Sequence, residues 1–198
     1  MQPKKLNNAI EFCKEYDLGE ECNQFAKAHP SFPDFWNHCD NSEWMLWLLE
    51  ATNYRNHDGL LEFFILTRAS LKHHPRYSHI QESGENFRKQ FEDQRAALEK
   101  KVEAGEYDVK YARLVSWSNI WTYARVFAHE AAQDARNNAI WDAGIKARLS
   151  GKEEEEEIKV IVDATLDKAL KDSLKDQAKL LRELIGNPFS PMIPADFD

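Results

Sequence analysis

Glycine and proline are scarce in this sequence, which has only seven of each among 198 residues. Chains with many short strands need both at their turns, so this scarcity favours long helices. Hydrophobic residues make up 42% of the chain and charged residues 30%, which is ordinary for a globular protein. A chain of this length can bury about 70% of its unfolded surface. The composition therefore predicts an all-α fold with a sizeable hydrophobic core.

Cysteines are also few, and Cys13, Cys22 and Cys39 include no C-x-x-C spacing. Three thiols cannot all pair within one chain, and that spacing is typical of metal and redox sites, so we expect reduced thiols. The sequence shows no signal-peptide-like apolar stretch at its start and no run of 18 apolar residues. We therefore expect a cytoplasmic protein with no membrane span.

Clusters of basic residues are missing as well. The net charge is -8, and acidic residues outnumber basic ones in both halves of the chain. Phosphate backbones attract clustered lysine and arginine, so direct nucleic-acid binding is disfavoured. Docking on a basic protein surface, including that of a nucleic-acid-binding protein, is compatible with this charge.

The stretch "WMLWLLE", Trp44 to Glu50, is apolar nearly all round when drawn as a helix. Such a helix is normally enclosed by others, so we predict interior packing and keep a partner-binding hook as the alternative. A second apolar stretch begins after Asp58-Gly59 and ends at Pro75, where a helix cannot continue. Together the two segments predict a central hydrophobic helical hairpin.

Apolar residues at intervals of three and four predict two or three long helices in the second half of a multi-helix bundle. A continuous helix over residues 107–149 would be about 65 Å long, whereas a compact domain of this size is about 40 Å across. We therefore expect a break near Asn137-Asn138 or Gly144, or else a protruding helix. Residues 1–82 and 83–198 form the two expected portions, packed as one unit.

Histidines offer two candidate sites for chemistry. His73, His74 and His79, with His57 and Asp58 nearby, could bind a metal, but neither H-E-x-x-H nor H-x-x-x-H occurs in the sequence. His129 and Glu130 could place a base beside a carboxylate, yet no nucleophile or oxyanion donor is indicated. We therefore expect no enzymatic activity, metal or cofactor. The alternatives are a metal-dependent hydrolase that uses the histidine cluster and a structural helical module of a larger assembly.

The motifs "DFWNHC" and "NSEWMLWLL", followed by long helices and the ending "LLRELIGNPFSP", resemble those of a loosely defined family of bacterial and phage helical proteins. Some members are described as immunity proteins of toxin systems. The matching motifs cover residues 36–49 and 180–191, and the middle helices are more charged than those of the family. The resemblance implies a protein-binding role and brings no catalytic residues.

The predicted function is that of a non-enzymatic inhibitor that covers the surface of another protein. It would act either as a phage-encoded antagonist of a bacterial defence system or as a toxin-neutralising immunity protein. An acidic run on the inhibitor would oppose a basic site on the partner, and an uncovered tryptophan on the long helix would anchor the contact. The predicted contact residues are Trp141, Glu153, Glu154, Glu155, Glu156 and Glu157.

Overall fold

A computed structural model describes residues 6–52, 54, 57–70, 84–150 and 155–190 of the chain. Within these ranges the chain forms eight α-helices and no strand, which confirms the all-α prediction. The helices are α1 (Ala9–Glu15), α2 (Gly19–Ala28), α3 (Phe32–His38), α4 (Ser42–Ala51), α5 (His57–Ser70), α6 (Gly84–Glu103), α7 (Val109–Leu149) and α8 (Glu155–Ile185).

Local signals set several helix ends. The Ser31 hydroxyl accepts a hydrogen bond from the Asp34 amide and caps α3. Asn41 caps α4, because its side-chain oxygen accepts hydrogen bonds from the amides of Glu43 and Trp44. Gly186, at a φ of 73°, ends α8 in the left-handed conformation that glycine adopts without strain.

The apolar stretch in α4 lies inside the protein, as predicted. Met45, Leu46, Leu48 and Leu49 are all fully buried, whereas the two tryptophans of the stretch are half-buried at the margin of the core. Helix α5 adds further core side chains, and both helices pack against α7 and α8. The two apolar helices are therefore held together largely through the long helices.

The long helix α7 runs unbroken through Asn137, Asn138 and Gly144. Its 41 residues correspond to about 60 Å, and the predicted break does not occur at any of these positions. Helix α8 follows after a short connection and packs extensively along α7, giving the long helix a partner. Ala143 and Ala147 stay buried near its end, outside the main core. We call residues 131–149 of α7 and 155–170 of α8 the arm.

Buried polar contacts join helices that are distant in sequence. Gln177 of α8 accepts a hydrogen bond from the Ser42 hydroxyl at 2.8 Å and donates one to the Ala128 carbonyl at 3.0 Å. This amide therefore links α4, α7 and α8. The indole of Trp36 donates a hydrogen bond to the Gly186 carbonyl at 2.6 Å, which attaches α3 to the end of α8.

The cysteines differ from the prediction. Cys13 of α1 and Cys22 of α2 form a disulfide, with their Cα atoms 6.1 Å apart. The expectation of reduced thiols is therefore wrong for this pair, because the turn between two short packed helices brings cysteines nine positions apart into bonding range. Cys39 is a free, buried thiol, and burial raises its pKa to about 12.

None of the helices within the described ranges combines the length and apolar character needed to cross a bilayer.

Candidate functional site

Four of the six predicted contact residues lie on the helices of the arm. Trp141 lies in the last third of α7 and is strongly exposed. Glu155, Glu156 and Glu157 are the first three residues of α8. Glu153 and Glu154 lie outside the described residues, so their role stays a prediction.

Trp141 belongs to a stripe of large apolar side chains on α7 that are exposed to solvent. Trp141, Ile145 and Leu149 are spaced four residues apart, which places them along one side of the helix, and they are 73%, 52% and 82% exposed. Ala143 and Ala147 between them are buried. This end of α7 therefore turns small side chains inward and large apolar ones outward, the reverse of an ordinary surface helix. We call Trp141, Ile145 and Leu149 the exposed stripe.

Gly144 lies next to the exposed stripe. A Cβ atom added there would meet no atom within 4 Å, so packing within the chain does not require a glycine. Glycine in a helix interior costs about 1 kcal/mol relative to alanine. Because Gly144 has no side chain, there is room for another molecule to approach the α7 backbone closely beside Trp141 and Ile145.

The sequence that joins and flanks the two helices at the end of the arm is acidic. Residues 141–163 contain seven acidic and four basic side chains, including the run of five glutamates. The first residues of α8 lie at the positive end of the helix dipole, which stabilises negative charge there. The exposed stripe therefore adjoins a segment with a net negative charge.

The histidine cluster that the sequence suggested is not tested by the structure. His73, His74 and His79 lie outside the described residues, and His57 and Asp58 begin α5. The metal site predicted as an alternative on these residues stays a hypothesis.

His129 contacts a carboxylate from another helix. Its Nδ1 lies 2.8 Å from Oε1 of Glu43 on α4. From the sequence, Glu130, the next residue along the chain, is the carboxylate expected beside His129. The ring is half-exposed on the surface of the α4–α7 contact. The geometry is that of an interhelical ion pair or hydrogen bond, which joins the two helices.

A second α4–α7 contact is less exposed. Arg125 forms an ion pair with Glu50, and its guanidinium lies over the Trp47 ring, 4.1 Å from the ring centre. Burial raises the pKa of the Glu50 carboxyl, while the positive charge of Arg125 acts in the opposite direction. Tyr16 packs on Trp47, and its pKa is raised by burial and then by the Glu50 charge. These groups form a stabilising contact between the helices.

Sequence reasoning missed one constellation of metal-ligand side chains. His29, which follows α2, approaches Asp34 and His38 of α3, and the three potential ligand atoms all lie within 4.8 Å of one another. Asp34 and His38 are four residues apart on one helix, a spacing that the sequence displays. His29 joins them only because the chain turns at Pro30 and Ser31, which helical periodicity cannot reveal.

Comparison with known proteins adds no relative, since no family model, no curated protein and no solved structure matches the chain. The family resemblance described above therefore stays a hypothesis.

Proposed function

We propose that this chain is a non-enzymatic inhibitor that binds another protein through the arm and covers its functional surface. The observation that carries the proposal is the exposed stripe, in which a tryptophan, an isoleucine and a leucine face solvent along one side of a helix. Isolated apolar side chains are common on protein surfaces, but a contiguous apolar stripe marks an interaction site. Tryptophan is also among the residues that contribute most to binding free energy at interfaces.

The charge of the arm defines the chemistry of the partner. An apolar stripe beside an acidic segment matches a protein surface with an apolar pocket bordered by lysine or arginine. Complementary charge speeds association and excludes acidic competitors, while the buried anchors slow dissociation. A basic functional surface of this kind is typical of proteins that bind nucleic acid or phosphate groups. Occupying it with an acidic arm would block the natural ligand sterically and electrostatically.

Two biological settings suit such an inhibitor. An immunity protein neutralises a bacterial toxin, and a phage-encoded antagonist neutralises a bacterial defence protein. The resemblance of residues 36–49 and 180–191 to helical bacterial and phage proteins motivates both. In either setting the inhibitor needs only a rigid binding surface, which the paired long helices supply.

The test compares capture by the wild-type chain with capture by two single variants. Trp141→Ser removes the anchor of the exposed stripe. Val126→Ser removes an apolar side chain that is also exposed on α7 but lies outside the arm. We expect the wild type and Val126→Ser to retain one protein from a bacterial lysate at near-equal molar amounts, and Trp141→Ser to lose it.

The retained protein is then purified, and its affinity and activity are measured with each variant. Trp141→Ser should weaken binding at least about 30-fold, as expected for a loss of about 2 kcal/mol. The partner's activity should fall as the inhibitor is added, and the affinity should decrease as salt is raised. Equal affinities for the wild type and Trp141→Ser would contradict the proposal.

Sedimentation of the purified chain separates the inhibitor from a structural module. A module of a larger assembly would self-associate, and a second copy could cover the exposed stripe. We expect a monomer at micromolar concentration. A dimer that Trp141→Ser dissociates would assign the stripe to self-assembly and overturn the inhibitor proposal.

A further inference from the structure

Three side chains of the kinds that bind transition metals converge where α2 meets α3. Nδ1 of His29 lies 3.1 Å from Oδ2 of Asp34, and Nδ1 of His38 lies 3.0 Å from Oδ1 of the same carboxylate. We propose that His29, Asp34 and His38 bind one divalent transition-metal ion, of the class of Zn²⁺, through the two Nδ1 atoms and the carboxylate. This site is independent of the arm and of the proposed inhibitory function.

The separations of the ligand atoms suit such an ion. Zinc binds imidazole nitrogen and carboxylate oxygen at about 2.0–2.2 Å, so neighbouring ligands of a tetrahedral site lie about 3.3 Å apart. The two nitrogen–oxygen separations observed are only slightly shorter than this. His38 Nδ1 also lies 3.0 Å from the Asp34 backbone carbonyl oxygen. Binding of an ion therefore requires an outward movement of the side chains in which the His38 ring gives up this contact, and the ion replaces the protons that the imidazoles share with Asp34. Two nitrogens and one carboxylate favour zinc and its neighbours over magnesium and calcium.

The two imidazoles are held in position by aromatic contacts. Their rings stack on each other with centres 4.7 Å apart and planes inclined by 14°. The His29 ring also packs on Phe25, at 4.6 Å between ring centres. The Nδ1 lone pair of each imidazole lies in the plane of its ring, so one of the two stacked rings must turn about its χ2 bond for both nitrogens to face the same ion.

Helix α3 is anchored at both ends, so Asp34 and His38 are carried on a fixed support. Ser31 caps its first turn through the Asp34 amide. At its other end, Arg182 of α8 donates a hydrogen bond to the Cys39 carbonyl at 2.6 Å. The spacing of Asp34 and His38 places both on the same face of α3. An ion bound there would join the end of α2 to α3.

The site is open to solvent on one side. The side chains of His29, Asp34 and His38 are 25%, 41% and 57% exposed, so an ion can enter and water can complete its coordination. A metal site with three protein ligands and a free position can also accept a donor atom from a second molecule. The proposal concerns the binding of the ion and assigns no reaction to it.

The test uses the full chain without a histidine tag, freed of metal with a chelator. Isothermal titration with Zn²⁺ should give one ion per chain, and an excess of Zn²⁺ should raise the Tm because the ion binds the folded state. His38→Ala and Asp34→Asn should each weaken binding at least about 100-fold. His38→Gln provides a second variant that keeps a polar side chain on the surface.

Two controls locate the ion. His129→Ala removes a histidine that, like His38, contacts a carboxylate and has 57% of its side chain exposed. His129 contacts Glu43 without a second histidine, so it offers fewer ligands to a metal ion. The double variant His73→Gln/His79→Gln removes two of the three histidines at positions 71–83, which lie outside the described residues. Both controls should bind Zn²⁺ as the wild type does. Absence of stoichiometric binding, or binding that survives His38→Ala and is lost in His73→Gln/His79→Gln, would overturn the proposal.

Discussion

Gly59 of α5 lies directly against Leu184 of α8, so that a Cβ atom at Gly59 would stand 3.1 Å from the Leu184 carbonyl oxygen. The same Cβ would be 3.0 Å from a side-chain carbon of Ile185. The backbone oxygen cannot swing away as a flexible side chain could. The glycine therefore allows α5 and α8 to approach closely at the end of the bundle.

Gly59→Ala should lower the free energy of unfolding by about 1–3 kcal/mol, because the two helices must separate to admit the methyl group. Gly144→Ala is the matched control, since the new Cβ meets no atom within 4 Å there. It should raise the free energy of unfolding by about 0.5–1 kcal/mol through helix propensity. Chemical denaturation of both variants measures the difference. Equal effects in the two variants would contradict the close approach.

The hydrogen bonds of Gln177 to Ser42 and Ala128 predict an energetic coupling between α4 and α8. Ser42→Ala and Gln177→Leu should each cost about 1–3 kcal/mol, because each leaves a buried polar group without its partner. The double variant should cost less than the sum by at least about 0.5 kcal/mol. Ser42→Ala combined with Gln24→Leu, which replaces an exposed side chain on α2, should be additive. Additive losses in the Ser42–Gln177 cycle would show that the buried bond contributes nothing.

The raised pKa of Glu50 predicts a pH dependence of stability. Burial is the largest cause of this shift, and Arg125 acts against it, so the folded protein holds the Glu50 proton more tightly than the unfolded chain does. The raised pKa of Glu50 therefore stabilises the folded protein fully below the ordinary pKa of 4.5. This stabilisation is lost as pH rises through the raised pKa of the folded state.

Glu50→Gln should remove this dependence. The free energy of unfolding of the variant, relative to wild type, should increase as pH rises from 4.5, even though the variant also loses the ion pair with Arg125. Denaturation curves measured at several pH values give this difference directly. A difference that stays constant with pH, or that falls, would show that Glu50 titrates in the folded protein as it does in the unfolded chain.

The Cys13–Cys22 disulfide predicts that the number of reactive thiols in the unfolded chain depends on whether the protein has been reduced. Unfolding without reductant should expose one reactive thiol, that of Cys39, and unfolding after reduction should expose three. Breaking the short Cys13–Cys22 loop should lower the free energy of unfolding by about 2–3 kcal/mol, because the unfolded chain gains freedom. The variant Cys13→Ser/Cys22→Ser should not respond to reductant. Three reactive thiols on unfolding without reductant would show that the pair is not joined.

Features that depend on neighbouring residues could be predicted from the sequence alone. The Ser31 cap, the glycine at the end of α8 and the helical character of the chain follow from short-range hydrogen bonding and side-chain spacing. The burial of Leu48 and Leu49 was equally predictable, because a helix that is apolar on nearly every side must be enclosed.

The continuity of α7 was not predictable, since the sequence offered several places for a break. Neither Asn137-Asn138 nor Gly144 interrupts a helix by itself, as each costs at most about 1 kcal/mol there. Packing of α8 along α7 compensates such a cost over many residues. The expectation of a break rested on the size of a compact domain, whereas the paired long helices extend beyond the main core.

The sequence by itself determined the helical character of the chain, several helix ends and which stretches must be buried, because those properties depend on residues within about one turn of each other. Only the tertiary structure decided that Trp141 is exposed, that His129 meets Glu43 and that His29 joins Asp34 and His38. Each of these depends on which helix face lies against another helix, or on how the chain turns between helices. A helical spacing places residues on one face, but the packing of the other helices decides whether that face meets protein or solvent.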